Sequence, residues 1–216
     1  MDTSFFSQFG QDEYLETQVF KGATGGFFID VGAHNGITIN NTLFFERNRG
    51  WTGLNIEPIK SVFDRLMIHR PHCINLNVAV DESNGTAAFI QNAGYTEMIS
   101  GLSSSFDARH HARLAFENST HGGQSQVIEV ETRRLDSICD EYGISRVHYL
   151  SVDVEGAEFK VIKSINFEKL HIDVIGFEDN YADASLPIVD FLNRRGYRVI
   201  HRKMDIFMIH ESSEFA

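Results

Sequence analysis

Cysteine is scarce. Cys73 and Cys139 are the only two in 216 residues, and they show no CxxC spacing. That excludes a disulfide framework and a cysteine-ligated zinc site, and reads as free thiols in a reducing compartment. Three prolines beside a hydrophobic content of 42% exclude wholesale disorder and leave enough apolar surface for a core. Positive charge is also short. Nineteen Lys and Arg face thirty Asp and Glu, for a formal net charge of −11. Such a surface repels phosphate backbones, so no nucleic-acid partner is expected, whereas a cationic ligand is not repelled. No apolar run approaches membrane-spanning length, and "MDTSFFSQFGQDEYL" lacks the basic and apolar regions of a signal peptide. Internal repeats and low-complexity linkers are missing too. The expectation is a cytoplasmic chain with residues 1–216 in a single domain.

What the chain does have is alternation. "QDEYLETQVF" is acidic early, as a helix start prefers. "GGFFIDV" is a short apolar run bounded by glycine, which predicts a buried strand. "NNTLFFERNRG" predicts a helix closed by Gly50, "TGLNIEP" a second strand, "IKSVFDRLMIHR" a helix opened by Pro58, and "CINLNVAV" a third strand. "DESNGTAAFIQ" reads as a hairpin turn and an extended segment. Residues 92–126 are rich in Gly, Ser, His and Asn, with one short helical pattern around "FDARHHARLAFEN"; so long a segment is expected to be a lid or binding insert. "QVIEVETRR" alternates like an exposed strand. Strand and helix then alternate again through "LDSICDEYG", "RVHYLSVDV", "GAEFKVIKSI", "IDVIGFED" and "SLPIVDFLNRRG". "YRVIHRK" and "DIFMIHE" are joined too tightly for anything but an antiparallel hairpin. The pattern predicts an α/β fold with a mostly parallel sheet, helices on both faces and an antiparallel strand at or near one edge.

Ligands in such sheets bind at the carboxyl ends of the strands. Asp30, Glu57, Asp153 and Glu178 all fall at predicted strand ends. Gly32 and Gly36 allow a sharp turn after the first strand and the approach of a ligand to its N–H groups. A dinucleotide site requires a third glycine in GxGxxG, and Asp30 would repel a pyrophosphate. S-adenosylmethionine removes that conflict. Its carboxylate suits the turn's N–H groups, its ammonium suits Asp30, and its sulfonium favours a negative pocket. Glu57 then accepts the ribose hydroxyls, Asn77, Val78 and Ala79 border the adenine, and His34 lines the site. An NAD-dependent oxidoreductase and an inactive methyltransferase-like binding module are the alternatives.

These residues resemble the FkbM family of S-adenosylmethionine-dependent methyltransferases. "SQFGQDEYL" is similar to that family's N-terminal SQxGED motif, "GFFIDVGAHNG" with "NNTLFFE" and "GWTGLNIEP" to its central signature, and "LSVDVEGAEFKVI" to its LKxDxEGxE segment. Gly196-Tyr197 and the "DIFMI" ending also fit. The resemblance runs from about Ser7 to Ile209 and departs at Gln11, where the family has Glu. It implies a Rossmann-like class I methyltransferase fold with seven main strands and methyl transfer, generally to hydroxyls of sugars, glycans and natural products. It also adds Gln8, Asp12 and Thr42 to the cofactor-binding set, which includes Asp153.

Methyl transfer to a hydroxyl needs in-line alignment and removal of a proton. Asp153, Glu155 and Glu178 are the candidate catalytic acids; Glu158 sits where a helix favours an acid in any case. Asp153, Glu178, Asp179 and Asn180 form an oxygen-rich set of the kind that suits Mg²⁺. The ten histidines show no zinc spacing. One of those in the insert, His110, His111 or His121, is a second candidate for the base.

Overall fold

The computed structural model describes residues 4–216. The first strand, β1 (Phe27–Val31), is buried nearly throughout, the pattern of a strand covered on both faces. Alternate side chains enter opposite layers. Phe28 joins Phe20, Phe44, Phe45, Trp51 and Tyr149 in an aromatic layer. Ile29 and Val31 join Leu54, Ile56, Leu150 and Val152 in an aliphatic one. A short helix, α1 (Gln11–Tyr14), runs on as a π-helical segment over Leu15–Phe20 and delivers Leu15 and Phe20 to the aromatic side.

Three further elements follow the expected order: α2 (Leu43–Arg49), closed by Gly50 in the left-handed conformation, β2 (Thr52–Ile56) and α3 (Lys60–His69). Pro58 stands outside α3; Ile59 is its N-cap, and the Glu57 carboxylate accepts the Ile59 N–H at 2.8 Å. The expected third strand is two. β3 (Ile74–Leu76) pairs with β2, whereas β4 (Ala79–Val80) belongs to a second sheet. Asn77 makes the break, because its side-chain amide donates to the carbonyls of Glu57 at 2.8 Å and Pro58 at 2.9 Å.

The second sheet was not legible in advance. β5 (Gly85–Ala93) and β7 (Gln124–Arg133) form a long antiparallel ribbon, from Gly85 opposite Thr132 to Ala93 opposite Gln124. β4 pairs in parallel with the other edge of β7, and β6 (Gly101–Leu102) with β5. The turn before β5 therefore closes no hairpin, since β7 lies between β4 and β5. Residues 94–123 form the tip of the ribbon. They include α4 (Ala108–His121), at the helical pattern expected there, whose N-cap Asp107 accepts the N–H groups of Arg109 and His110.

The chain then supplies α5 (Leu135–Tyr142), β8 (Arg146–Val152), α6 (Glu158–Lys163), β9 (His171–Glu178), α7 (Ala182–Asn193), β10 (Tyr197–Arg202) and β11 (Asp205–His210). The main sheet has seven strands in the order β10-β11-β9-β8-β1-β2-β3. β11 runs antiparallel to both neighbours, and the other strands are parallel to one another. The expected α/β fold, with its mostly parallel sheet and terminal hairpin, is what the chain adopts. Strand order reverses at β1, between β2 and β8, which opens a crevice at their carboxyl ends.

A buried cation braces that crevice. Arg70, just after α3, has no solvent exposure. Its guanidinium donates to Glu46, to the Gly36 carbonyl and Asn40 Oδ1 at 3.1 Å each, and to Thr42 Oγ1 at 3.1 Å. It also lies 5.2 Å from the Phe28 ring centroid. Asn40 and Thr42 in turn donate to Asp30 Oδ2 at 2.9 Å each. Removing the cation leaves Glu46 and Asp30 without compensation, so Arg70→Ala is expected to cost about 3–5 kcal/mol, read as a fall in the urea midpoint; an unchanged midpoint would contradict the bracing role.

Candidate active site

A cavity opens at the carboxyl ends of β1, β2 and β8, the place where ligands of such sheets bind. Gly32, His34, Glu57, Val78, Ala79 and Asp153 line it, and so do Glu97, Met98, Ser100 and Leu102 from the 94–123 tip. Six of the expected site residues therefore meet in one place. Gly32 is required there twice over. Its φ is +88°, and a Cβ at that position would lie 1.9 Å from the Asp153 carbonyl oxygen. Only a glycine lets the ends of β1 and β8 approach so closely.

The other expected residues stand behind this wall. Asp30 faces Asn40 and Thr42, with Arg70 nearby; burial raises its pKa, opposed by the Arg70 charge and the two hydrogen bonds. Thr42 and Gly36 belong to the same brace. Asn77 holds the Glu57 backbone. Asp12 is fully buried and accepts from the Phe6 N–H at 2.6 Å and the Ser7 hydroxyl at 2.5 Å, so it shapes the N-terminal turn. Gln8 is exposed. Gln11, the departure from the family motif, accepts the Phe9 N–H at 2.8 Å and hydrogen-bonds Asp205. The glycine turn's donors are partly spent as well: the N–H groups of Gly32 and Ala33 both bond to the Ile56 carbonyl.

Two groups in the cavity are prepared for polar ligand atoms. Glu57 is 5% exposed. Burial pushes its pKa up to about 7, opposed by the N–H groups of Ile59 and His34. His34, held at φ +50°, bonds through Nε2 to Glu97 at 2.7 Å, and Arg65 bonds the same Glu97 oxygen at 2.5 Å. With Nε2–H donating to a carboxylate, Nδ1 is an acceptor, and it is buried without a partner. Ribose hydroxyls are donors of the kind that both groups lack. Val78, Ala79, Phe89 and Leu102 supply an apolar slot beside them. The residues present therefore fit S-adenosylmethionine.

Acids crowd the far rim. Protein surrounds Asp153 closely, yet its side chain keeps solvent contact through the cavity. Its pKa is raised well above the carboxylate range, first by desolvation and then by the charges of Glu155, Asp205, Glu158 and Asp30. Glu155, at φ +50°, is held by Arg113 of α4 at 3.1 Å; burial raises its pKa against that cation. Glu178 is pushed up to about 10 by burial and by Asp153, Glu155 and Glu158, and its Oε2 is buried without a partner. Asp205, opposite Glu178 in the antiparallel register of β11 and β9, rises to about 6.

The Mg²⁺ expectation is not supported. Asp179 is committed elsewhere, to Ser185 and to Arg202 at 2.7 Å. Among the described residues, the three side chains whose ligand atoms lie within 4.8 Å of one another are His148, Asp173 and Glu214. There Arg146 already bridges the two acids. Glu97, Arg113 and Asp205 are site residues that the sequence reading missed. Glu97 lies in a polar stretch without periodicity. Asp205 carried a signal, since an antiparallel last strand begins where its parallel neighbours end.

The family model of the methyltransferase FkbM domain matches residues 30–199. The chain belongs to the FkbM methyltransferase family. Among solved structures, a methyltransferase FkbM from Methylobacillus flagellatus KT is similar, with a TM-score of 0.54 and 11% identity over 86% of this chain. That identity speaks for the fold alone, and the match spans 44% of the Methylobacillus chain. A TehB-like SAM-dependent methyltransferase from Corynebacterium glutamicum ATCC 13032 Kitasato superposes over 95% of this chain and 86% of its own, at 10% identity and a TM-score of 0.43. No curated protein matches. Membership of the FkbM family implies S-adenosylmethionine as the methyl donor. Among the described residues, no helix is long and apolar enough to cross a membrane.

The raised pKa of Glu57 has a thermodynamic signature in the ligand-free protein. A carboxyl at about 7 when folded and near 4.5 when unfolded stabilises the fold below the lower value, and that stability is lost as pH rises through the upper one. Glu57→Gln mimics the protonated form. It is expected to be more stable than the parent at pH 8, by up to about 3 kcal/mol, with the gap closing toward pH 5 in parallel thermal melts. A pH-independent difference would show that Glu57 keeps an ordinary pKa.

Proposed function

We propose that this chain transfers a methyl group from S-adenosylmethionine to a hydroxyl of a sugar, glycan or natural product. One observation carries the reading: Glu57 and Asp153 line the same cavity from strands on either side of β1, two strand spacings or about 10 Å apart. A ligand with a diol at one end and a cation at the other matches that pair. Glu57 and His34 Nδ1 accept the ribose hydroxyls. Val78 and Ala79 flank the base, and Asp153 with the Gly32 turn receives the methionine portion. Asp30, Gly36, Thr42, Asn77, Asp12 and Gln8 support this set from behind or beside it. When bound, the cofactor supplies an electrophilic methyl on a sulfonium.

Asp153, Glu155 and Glu178 form the acceptor side. Asp153 lines the donor cavity and also a small polar one that it shares with Glu178, Asn41, Ser151 and Asp205. Burial and the neighbouring carboxyls push Glu178 up to about 10, so it is protonated near neutral pH and donates a hydrogen bond to the acceptor's oxygens; the pKa of Asp153 beside it is shifted in the same direction. Polar lining of this kind suits a carbohydrate. Residues 92–126 are the acceptor-binding insert, because their tip closes both the donor cavity, through Glu97, and the acid rim, through Arg113. Free thiols at Cys73 and Cys139 suit a cytoplasmic setting.

Isothermal titration with S-adenosylhomocysteine tests the donor half. The parent protein is expected to bind. Glu57→Ala should weaken binding by about 1–3 kcal/mol, the scale of lost hydrogen bonds to a charged group. A bound diol favours the ionised carboxylate, so affinity should rise with pH through 7 in the parent and lose that dependence in Glu57→Gln. No binding at millimolar ligand would refute the proposal.

A further inference from the structure

A third, small cavity lies beyond the acid rim. His110, Gly156, Glu158, Glu178, Asn180 and Tyr181 are among its lining residues. Glu178 is shared with the small polar cavity, and Asp153 is shared between that and the donor cavity. His110 thus stands at the far end of a chain of spaces that begins at Glu57.

The histidine is held like a part of a mechanism. It is 5% exposed and, with Leu114, forms the buried side of α4. Its ring stacks on Phe106 at 5.5 Å and meets the edge of Tyr181 at 5.3 Å, so it cannot turn freely. Nδ1 lies 2.9 Å from Asp107 Oδ1. Hydrogen bonds from the His110 and Arg109 N–H groups and from the two side chains hold the Asp107 carboxyl well below the usual carboxylate range. It is therefore an acceptor, and Nδ1 must carry the proton. Nε2 is left as a bare acceptor on the other side of the ring. Gly156 makes room for that side: at φ +97°, a Cβ there would sit 3.0 Å from His110 Nε2 and 3.0 Å from His110 Cε1. A carboxylate fixing the tautomer of a histidine whose second nitrogen faces a cavity is the arrangement of an oriented general base.

We propose that His110 is the general base for the acceptor hydroxyl and that Asp107 is its positioning residue. This rests on the hydroxyl-transfer reading above. As the reaction proceeds, the acceptor O–H bond breaks and its proton passes to His110 Nε2. The oxygen's electron pair forms the bond to the methyl carbon, and the carbon–sulfur pair stays on sulfur, which becomes a neutral thioether. The imidazolium formed is flanked by Asp107 on its own segment, by Glu155 and Glu158 after β8, and by Glu178 and Tyr181 after β9. Asp107, Glu155 and Glu158 supply the negative charge that stabilises it until the proton passes to water. The crowding of carboxyls in this corner then serves a cation that exists only during turnover.

The test combines kinetics with a spectroscopic readout. Tritium from methyl-labelled S-adenosylmethionine is followed into methyl α-D-glucopyranoside, methyl α-D-mannopyranoside and methyl α-L-rhamnopyranoside for the parent, His110→Gln, His110→Asn and Asp107→Asn, with ¹⁵N NMR of the histidine rings in each. Asn is as good an N-cap as Asp, so α4 survives the last change. Expected are a fall in kcat of about 100- to 10,000-fold in both His110 variants, loss of the acid limb of the pH–rate profile, and S-adenosylhomocysteine affinity within about threefold of the parent. Resonances of His110 should show the Nδ1–H tautomer in the parent, held by the Asp107 carboxylate. Parent turnover matched within threefold by folded His110 variants would overturn the proposal and leave the hydroxyl-transfer reading standing, as would an Nε2–H tautomer. No transfer to any of the three glycosides by the parent counts against the hydroxyl reading itself, and the proposal falls with it.

Discussion

The buried guanidinium of Arg70 is the interaction on which the site's framework depends. It reaches Glu46 at the start of α2, the Gly36 carbonyl in the turn after β1, and the Asn40 and Thr42 side chains that hold Asp30. A single cation thus joins β1, the turn, α2 and the end of α3 into one unit. Burying a charge this deeply is tolerable only because each guanidinium nitrogen finds an acceptor. Its consequence is geometric. With the turn held, Gly32 packs against the Asp153 carbonyl and the ends of β1 and β8 are fixed relative to each other.

Around that framework the site shows the opposite electrostatic condition. Asp153, Glu155, Glu158, Glu178 and Asp205 gather where β8 and β9 end and β11 begins, and Arg113 is the cation held against them. Desolvation is the largest cause of each shift, and repulsion by neighbouring acids comes next at Asp153 and Glu178. At Glu178, pushed up to about 10, the ligand-free protein meets this by keeping the proton. A sulfonium, or an imidazolium formed in passing, relieves the same repulsion by bringing positive charge. Excess acid at one rim therefore favours the cationic states of a methyl transfer over its neutral ones.

The second sheet explains how the 94–123 tip reaches the site. A long β5–β7 ribbon, anchored by β4, holds it over the crevice. From there Glu97 joins His34 and Arg65 over the cavity at the ends of β1, β2 and β8, while Arg113 and His110 approach the acids. The cavity and the acid rim are thereby closed by one segment.

Much was legible in the residues alone. Apolar runs ending on Asp30, Glu57, Asp153 and Glu178, each followed by a turn and a helix, dictate a parallel sheet with acids at one rim, because strand period and burial are local properties. The hairpin at the end follows from a connection too short for a crossover. What tertiary structure decided is which way those acids face. Asp30 and Glu57 look alike in sequence, yet one serves a buried arginine and the other a cavity. The split of the third strand at Asn77 and the pairing of Asp107 with His110 were also decided in three dimensions. Side-chain direction at a strand end depends on what the neighbouring segments place beside it, and those neighbours, such as Arg70 forty residues from Asp30, are brought there by packing rather than by proximity along the chain.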